Sequence, residues 1–317
     1  MTPQSKKNQE KSLNKQKNLP ELLSDIANVK PEKDKNIMEF AKNHKRVLIA
    51  FIAPCVGVKV SPVDEARASI GLLDEFGIDA LIRKLKSTNI KNAYLLVNSP
   101  GGAMSSSYKI AMAIRSIFDN IITFVPHIAA SGGTLLALTG DKIVMGPMSH
   151  LTPLDVQIRY KGGSISAATF MKFFSRASRW FEKTLPEEAP YPRKALADKL
   201  DPFLMEDWSG LMETAMKYVS DILGLAGYKK KEEIAQKIVM TFPSHSYVIN
   251  YDEAKKIGLK VDKETNYNET WDIMRYWLSR YIFEQEITHC IRYVVPHINN
   301  KNQNMNTAEA NKNEPKK

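Results

Sequence analysis

Cysteine is scarce: the 317-residue chain holds two, Cys55 and Cys290, far apart in sequence. Such a pair makes neither a disulfide framework nor a metal-ligand spacing, and it suits a reducing compartment. The six histidines are scattered, and none joins Cys, Asp or Glu in a metal-ligand pattern. Long apolar runs are missing as well. The most apolar stretch, "VLIAFIAPCVGVKV" (47–60), is interrupted by Pro54 and is too short to span a bilayer. The chain starts polar and lysine-rich, without the apolar core of a secretory signal. These absences predict a cytoplasmic protein that uses no metal or other cofactor.

What is present is enough to fold. With 43% hydrophobic residues, the chain can bury a sizeable core in one large domain. Its net charge of +10 comes largely from its ends. Lys6, Lys7, Lys11, Lys15 and Lys17 face a single Glu10, and the stretch "NNKNQNMNTAEANKNEPKK" has almost nothing to bury. Residues 1–35 and 299–317 therefore read as solvated, disordered tails. The basic excess is not interleaved with aromatics on one face, so no nucleic-acid partner is expected.

Between the tails, strand-like and helix-like segments alternate. A short helix is expected over 36–45 and a β-branched strand over 46–53. A helix over 72–86, the strand "NAYLLVNS", a helix over 103–118 and the strand "NIITFVPHIA" follow. The helix "GGTLLALTG" and the strand "KIVMGP" complete the series. This order predicts a parallel sheet flanked by helices on both faces. The main domain is assigned to 36–265, with a helical insertion at about 166–240 and a helical extension over 266–298.

Two glycine pairs mark strand-to-helix junctions, where chemistry gathers in such sheets. The first lies in "VNSPGGAMSS" (97–106), as Gly101 and Gly102, and the second follows Ser131 in "HIAASGGTLLAL" (127–138). A serine at such a junction can present its hydroxyl. Gly132 after it leaves a backbone N–H approachable without a Cβ in the way. The N–H of Gly101 or Gly102 would supply the second donor of an oxyanion hole. One hydroxyl and two convergent donors make an acyl-transfer site. Taken singly, each motif also reads as a helix cap or a turn.

At these residues the chain resembles the superfamily of the Clp protease proteolytic subunit and the signal peptide peptidases, serine peptidases of the crotonase-like fold. It is most similar to the serine dehydrogenase proteinase branch. The segments that carry this are "NSPGG", "VPHIAASGGT", "DKIVM", "TPLDVQI" and "SHSYVINYDEAKKIGLKV", in family order over roughly 46–262. The resemblance implies an α/β fold of repeated ββα units of the ClpP and crotonase kind. It also implies Ser131 as nucleophile and Gly132 with Gly102 as oxyanion donors. A peptide or protein would be the substrate, and self-assembly would be expected.

The proton acceptor stays open. The Clp-type subunit would place a histidine near Leu154–Asp155, and neither residue is one. A Ser-Lys dyad like that of the signal peptide peptidases points to Lys172 in "SAATFMK", set among Phe170, Phe173 and Phe174. Burial there would lower a lysine's pKa enough for the role. His150 in "PMSHLTP" and Lys161 are the other candidates. Asp155 could orient a base, hold a subunit interface or cap a turn. His127 reads first as a core histidine and second as a proton carrier, and His245 reads as structural. The mixed stretch "FMKFFSRASRWFEK" reads as core or oligomer packing, with a lid or a peripheral membrane contact as its other uses. Two competing functions share the scaffold: a crotonase-like acyl-CoA enzyme, and a non-catalytic assembly or binding protein.

Overall fold

The computed structural model describes residues 29–53, 69–160, 163–179, 188, 190–198, 201–283 and 290–296. The strands are β1 (Val29–Pro31), β2 (Val47–Ile52), β3 (Asn92–Asn98), β4 (Asn120–Val125), β5 (Ile128–Ala129), β6 (Lys142–Met145), β7 (His150–Leu151), β8 (Gln157–Tyr160), β9 (Gly163–Ser166), β10 (Val261–Lys263) and β11 (Cys290–Val294). The helices are α1 (Lys35–His44), α2 (Leu72–Leu85), α3 (Met104–Arg115), α4 (Gly132–Ala137), α5 (Ala167–Ser178), α6 (Tyr191–Ala197), α7 (Pro202–Leu225), α8 (Lys231–Gln236), α9 (Tyr251–Ile257) and α10 (Asn268–Phe283). A π-helical turn, Lys237–Thr241, follows α8. Among the described residues, no helix is long and apolar enough to cross a membrane.

A seven-stranded sheet runs β1-β11-β2-β3-β4-β6-β10. From β2 to β10 every neighbouring pair is parallel. The fold is thus an α/β structure with a mostly parallel sheet between helices. All six residues of β2 are buried, as expected of a strand covered on both faces. Alternate side chains divide between two cores. Val47, Ile49 and Phe51 pack with residues of α2, α3 and α7, whereas Leu48, Ala50 and Ile52 pack with Ile37 and Phe40 of α1 and Trp277 of α10.

Two boundaries differ from the sequence reading. The tail expected over 1–35 is already part of the sheet at Val29–Pro31, where β1 pairs in parallel with β11. The helical extension expected over 266–298 holds α10 and then a strand. β11 enters the sheet between β1 and β2, antiparallel to β2. Cys290 is buried in that strand. The N-terminal lysines, Cys55, Lys161, Trp180, Phe181, Lys183 and the C-terminal Asn/Lys stretch lie outside the described residues.

Glu32 anchors this side of the sheet. Its Oε2 accepts from Trp277 Nε1 at 2.6 Å and Tyr281 OH at 2.8 Å, while its Oε1 accepts from the N–H groups of Lys33 at 2.7 Å and Asp34 at 2.9 Å. Burial alone would push this carboxyl up. The hydrogen bonds from the Asp34 N–H, Tyr281, Trp277 and the Lys33 N–H outweigh it and hold the group below the ordinary glutamate value. A carboxyl depressed in the folded state stabilises above its unfolded pKa, and the contribution is lost as pH falls through the folded value. Glu32→Gln should therefore lower stability at pH 7 by about 2 kcal/mol, the scale of lost charge-assisted bonds. Urea midpoints measured from pH 7 to pH 3 should show the gap to wild type closing. A gap constant with pH would rule this account out.

Candidate active site

The two glycine junctions are brought side by side by backbone pairing at the ends of β3 and β5. The Ser99 N–H donates to Ile128 O and the Ala130 N–H donates to Ser99 O, both at 2.9 Å. This places the Gly101–Gly102 loop against Ser131. The loop is held on its other flank by Ile70, whose N–H donates to Gly101 O at 2.9 Å and whose carbonyl accepts from the Ala103 N–H at 2.8 Å. A Cβ on Gly102 would collide with the Ile70 backbone, and φ there is +152°, so the position requires glycine.

Ser131 sits before α4 with φ 49° and ψ −118°, a conformation rare for a residue with a side chain. Such geometry costs on the order of 1–3 kcal/mol and persists only where neighbours enforce it. Here Thr152 Oγ1 accepts from the Ser131 N–H at 2.9 Å. Thr134, in turn, donates its hydroxyl toward Ala129 O at 2.8 Å and Thr152 O at 2.7 Å. Ser131 is half-buried, and its hydroxyl makes no hydrogen bond among the described residues.

The glycine N–H groups are not equivalent. That of Gly101 donates to Ser99 Oγ at 3.1 Å and is spent. Those of Gly102 and Gly132 have no acceptor among the described residues. They lie close together, since a Cβ on Gly132 would stand 3.3 Å from Gly102 N and would also strike Ser107 Oγ. The buried Ser107 hydroxyl itself has no hydrogen-bond partner among the described residues. Of the two donors left open by the sequence, Gly102 is the free one.

The candidate bases are dispersed. Lys172 lies on α5, with Nζ donating to Phe242 O at 2.9 Å and Thr241 O at 3.5 Å, and it is not hydrogen-bonded to Ser131. His150 is half-buried and packs edge-on to His127 with ring centroids 6.3 Å apart. Burial first, and then His127, hold His150 below the ordinary histidine value. His127 is exposed, with Nδ1 3.4 Å from Met148 O, so it is not the core histidine expected. The peptide turns at Pro126, and the ring is carried outward between β4 and β5. Asp155 is buried and bonded to Ser166 Oγ and Gln157 Nε2, each at 2.8 Å. Burial pushes its carboxyl up, against hydrogen bonds from Ser166, the Ala168 N–H and Gln157 and the nearby His245. A groove of about 700 Å³, lined by His127, Met148, Trp271 and Arg275 among others, does not include Ser131.

Thr152, Thr134, Ile70 and His245 were missed as site residues by sequence reasoning. Thr134 and Thr152 stand inside the quoted motifs, and Ser99 two residues before Gly101 is the sequence signal for the turn that consumes the Gly101 N–H. For Ile70 there is no local signal.

Residues 77–184 match the family model of the ClpP-like SDH-type serine proteinases. That segment is similar to the family. Among curated proteins, it is 32% identical over 170 residues to an uncharacterized protein of Methanocaldococcus jannaschii, covering 53% of this chain and 52% of that one. It is 33% identical over 81 residues to an ATP-dependent Clp protease proteolytic subunit of Lactococcus lactis, covering 26% of this chain and 38% of the relative. The chain thus spans about half the length of the first of these relatives, and less of the second. A solved membrane-bound stomatin-specific protease superposes with a TM-score of 0.41 at 17% identity, covering 65% of this chain and 79% of the other.

The geometry of the two junctions makes a stability prediction. Thr152→Val removes the acceptor of the Ser131 N–H and should lower stability by about 1–2 kcal/mol. Gly102→Ala, driven into the Ile70 backbone, should lower it further. Urea unfolding of both variants checks this, and midpoints equal to wild type would contradict the described loop.

Proposed function

We propose that the chain is a serine peptidase that cleaves amide bonds through an acyl-enzyme. The observation that carries this is Ser131: a strained backbone, a hydroxyl with no hydrogen bond, and the unpaired N–H groups of Gly102 and Gly132 beside it. The match of 77–184 to SDH-type serine proteinases supports the same reading.

Ser131 Oγ attacks the substrate carbonyl carbon, and its proton passes to Nζ of Lys172. The carbonyl oxygen becomes an oxyanion facing the Gly102 and Gly132 N–H groups, donors that stabilise the charge as it develops. Collapse breaks the C–N bond, and the leaving amine takes the proton back from Lys172. Water then attacks the ester and releases the acid, with Ser131 Oγ recovering a proton. A neutral amine has two N–H bonds and one lone pair. The carbonyls of Thr241 and Phe242 can accept both N–H bonds, which leaves the lone pair for the serine proton. Closing the dyad requires α5 to bring Lys172 to Ser131, since catalytic contacts often tighten only with substrate bound.

A peptide or protein substrate belongs to this reading, as does self-association. The exposed apolar side chains Leu72, Leu73 and Phe76, grouped early on α2, support the latter.

The test is labelling by a fluorophosphonate, together with hydrolysis of casein and a fluorogenic peptide library. Wild type should label on Ser131 and cleave. Ser131→Ala should lose labelling and at least about a thousandfold in kcat, and Lys172→Ala roughly 100- to 10,000-fold. If only Ser131→Ala is inactive, the base is not Lys172. A wild type inert toward every probe would reject the peptidase reading and favour acyl-CoA or assembly roles, separable by coenzyme A titration.

A further inference from the structure

Asp155 and His245 stand opposite each other without a use in the mechanism above. The backbone bridge between Leu151 and Ile249, with both N–H···O bonds at 2.9 Å, runs the 245–249 segment antiparallel to 151–155. Continuing that register sets His245 across from Asp155. The contact is present: His245 Nδ1 lies 3.9 Å from Asp155 Oδ2. Nδ1 is buried and has no hydrogen-bond partner among the described residues, and the facing carboxylate is a ready acceptor. A proton on Nδ1 gives the imidazole and the carboxylate a favourable contact, whereas a lone pair there would oppose two acceptors.

The two members of the pair flank Lys172 from different segments of the chain. Asp155 Oδ1 accepts from Ser166 Oγ at 2.8 Å, and Ser166 Oγ accepts from the Thr169 N–H at 2.9 Å. The carboxylate also takes a backbone hydrogen bond from Ala168. It therefore fastens the first turn of α5, the helix that carries Lys172 about one turn further on. His245 belongs to the stretch that follows the π-helical turn, three residues past Phe242. The carbonyls of Thr241 and Phe242 receive the Lys172 amine. One residue of the pair fastens the helix of the base, and the other lies three residues beyond the carbonyls that receive its amine.

We propose that Asp155 and His245 are positioning residues for Lys172, and that their contact across the 151–155 and 245–249 segments sets where the amine sits relative to Ser131. This rests on the reading of Lys172 as the base. A merely structural pair would change stability without a specific change in turnover. A positioning pair changes turnover at nearly constant substrate binding, because a misplaced group harms the transition state more than the ground state.

The experiment uses the full chain with Asp155→Asn, His245→Leu, His245→Gln and Lys172→Ala. It reads kcat and KM on a fluorogenic peptide cleaved by wild type, and the rate of Ser131 labelling by a fluorophosphonate. Asp155→Asn and His245→Leu should lower kcat roughly 10- to 100-fold, with KM within about twofold and labelling slowed in parallel. His245→Gln, whose amide can donate to Asp155, should recover most of the loss. The proposal is overturned if His245→Leu keeps wild-type kcat while Lys172→Ala is inactive, or if His245→Gln falls as far as His245→Leu. A rise in KM at unchanged kcat overturns it as well. If Asp155→Asn fails to fold, the two variants at half-exposed His245 decide. If Lys172→Ala retains activity, the dyad reading fails and the proposal with it. A wild type that neither labels nor cleaves would instead reject the peptidase reading itself.

Discussion

Two backbone hydrogen bonds of 2.9 Å join Ser99 to the Ile128–Ala130 segment, and the geometry of the site follows from them. Each junction alone is an ordinary strand-to-helix turn. Pinning the turn after β3 to the turn before α4 brings the Gly101–Gly102 loop against Ser131 and Gly132. The parallel core of the sheet sets the coarse spacing of these turns, and the Ser99 pair sets the fine one. Ile70 completes the arrangement by fixing the Gly101–Gly102 peptide from outside.

Strain and unmet hydrogen bonding concentrate at this place. Ser131 has a positive φ, and among the described residues its hydroxyl and two nearby N–H groups lack partners, as does the buried Ser107 hydroxyl. Glu32 is the contrasting case, where four donors surround one carboxylate. A buried polar group left unpaired costs about 1–3 kcal/mol, so a cluster of such groups is held in place by the rest of the core. The apolar faces of β2 and β3, enclosed between two layers of helices, supply that support.

How much of this was legible can be judged residue by residue. The strand expected over 46–53 is Val47–Ile52, and the helix expected over 72–86 is Leu72–Leu85, because continuous apolar runs and helical periodicity are local signals. The glycine junctions were legible for the same reason. What escaped depends on distant pairing. "VKP" carries no strand pattern of its own, and β1 exists because β11 lies beside it. The run "NIITFVPHIA" reads as one strand, but Pro126 divides it into β4 and β5 and turns His127 outward. The Asp155–His245 contact arises from a register between segments nearly a hundred residues apart, which no spacing rule reveals. Lys172 was singled out through the family pattern alone, and nothing in the sequence points to its hydrogen bonds with Thr241 and Phe242.

The position of β11 has a consequence for the order in which the molecule can be built. As the chain leaves the ribosome, β2, β3, β4 and β6 emerge in sequence and can pair at once. The flank of β2 that will receive β11 has no neighbour until residues 290–294 have been synthesised. Until then a fully apolar strand presents an open edge, the kind of surface that attracts other chains. β1, made first, must wait for β11, made last among the described strands, before it has anything to pair with. The sheet therefore closes from its oldest and newest described segments together, once synthesis has passed Val294.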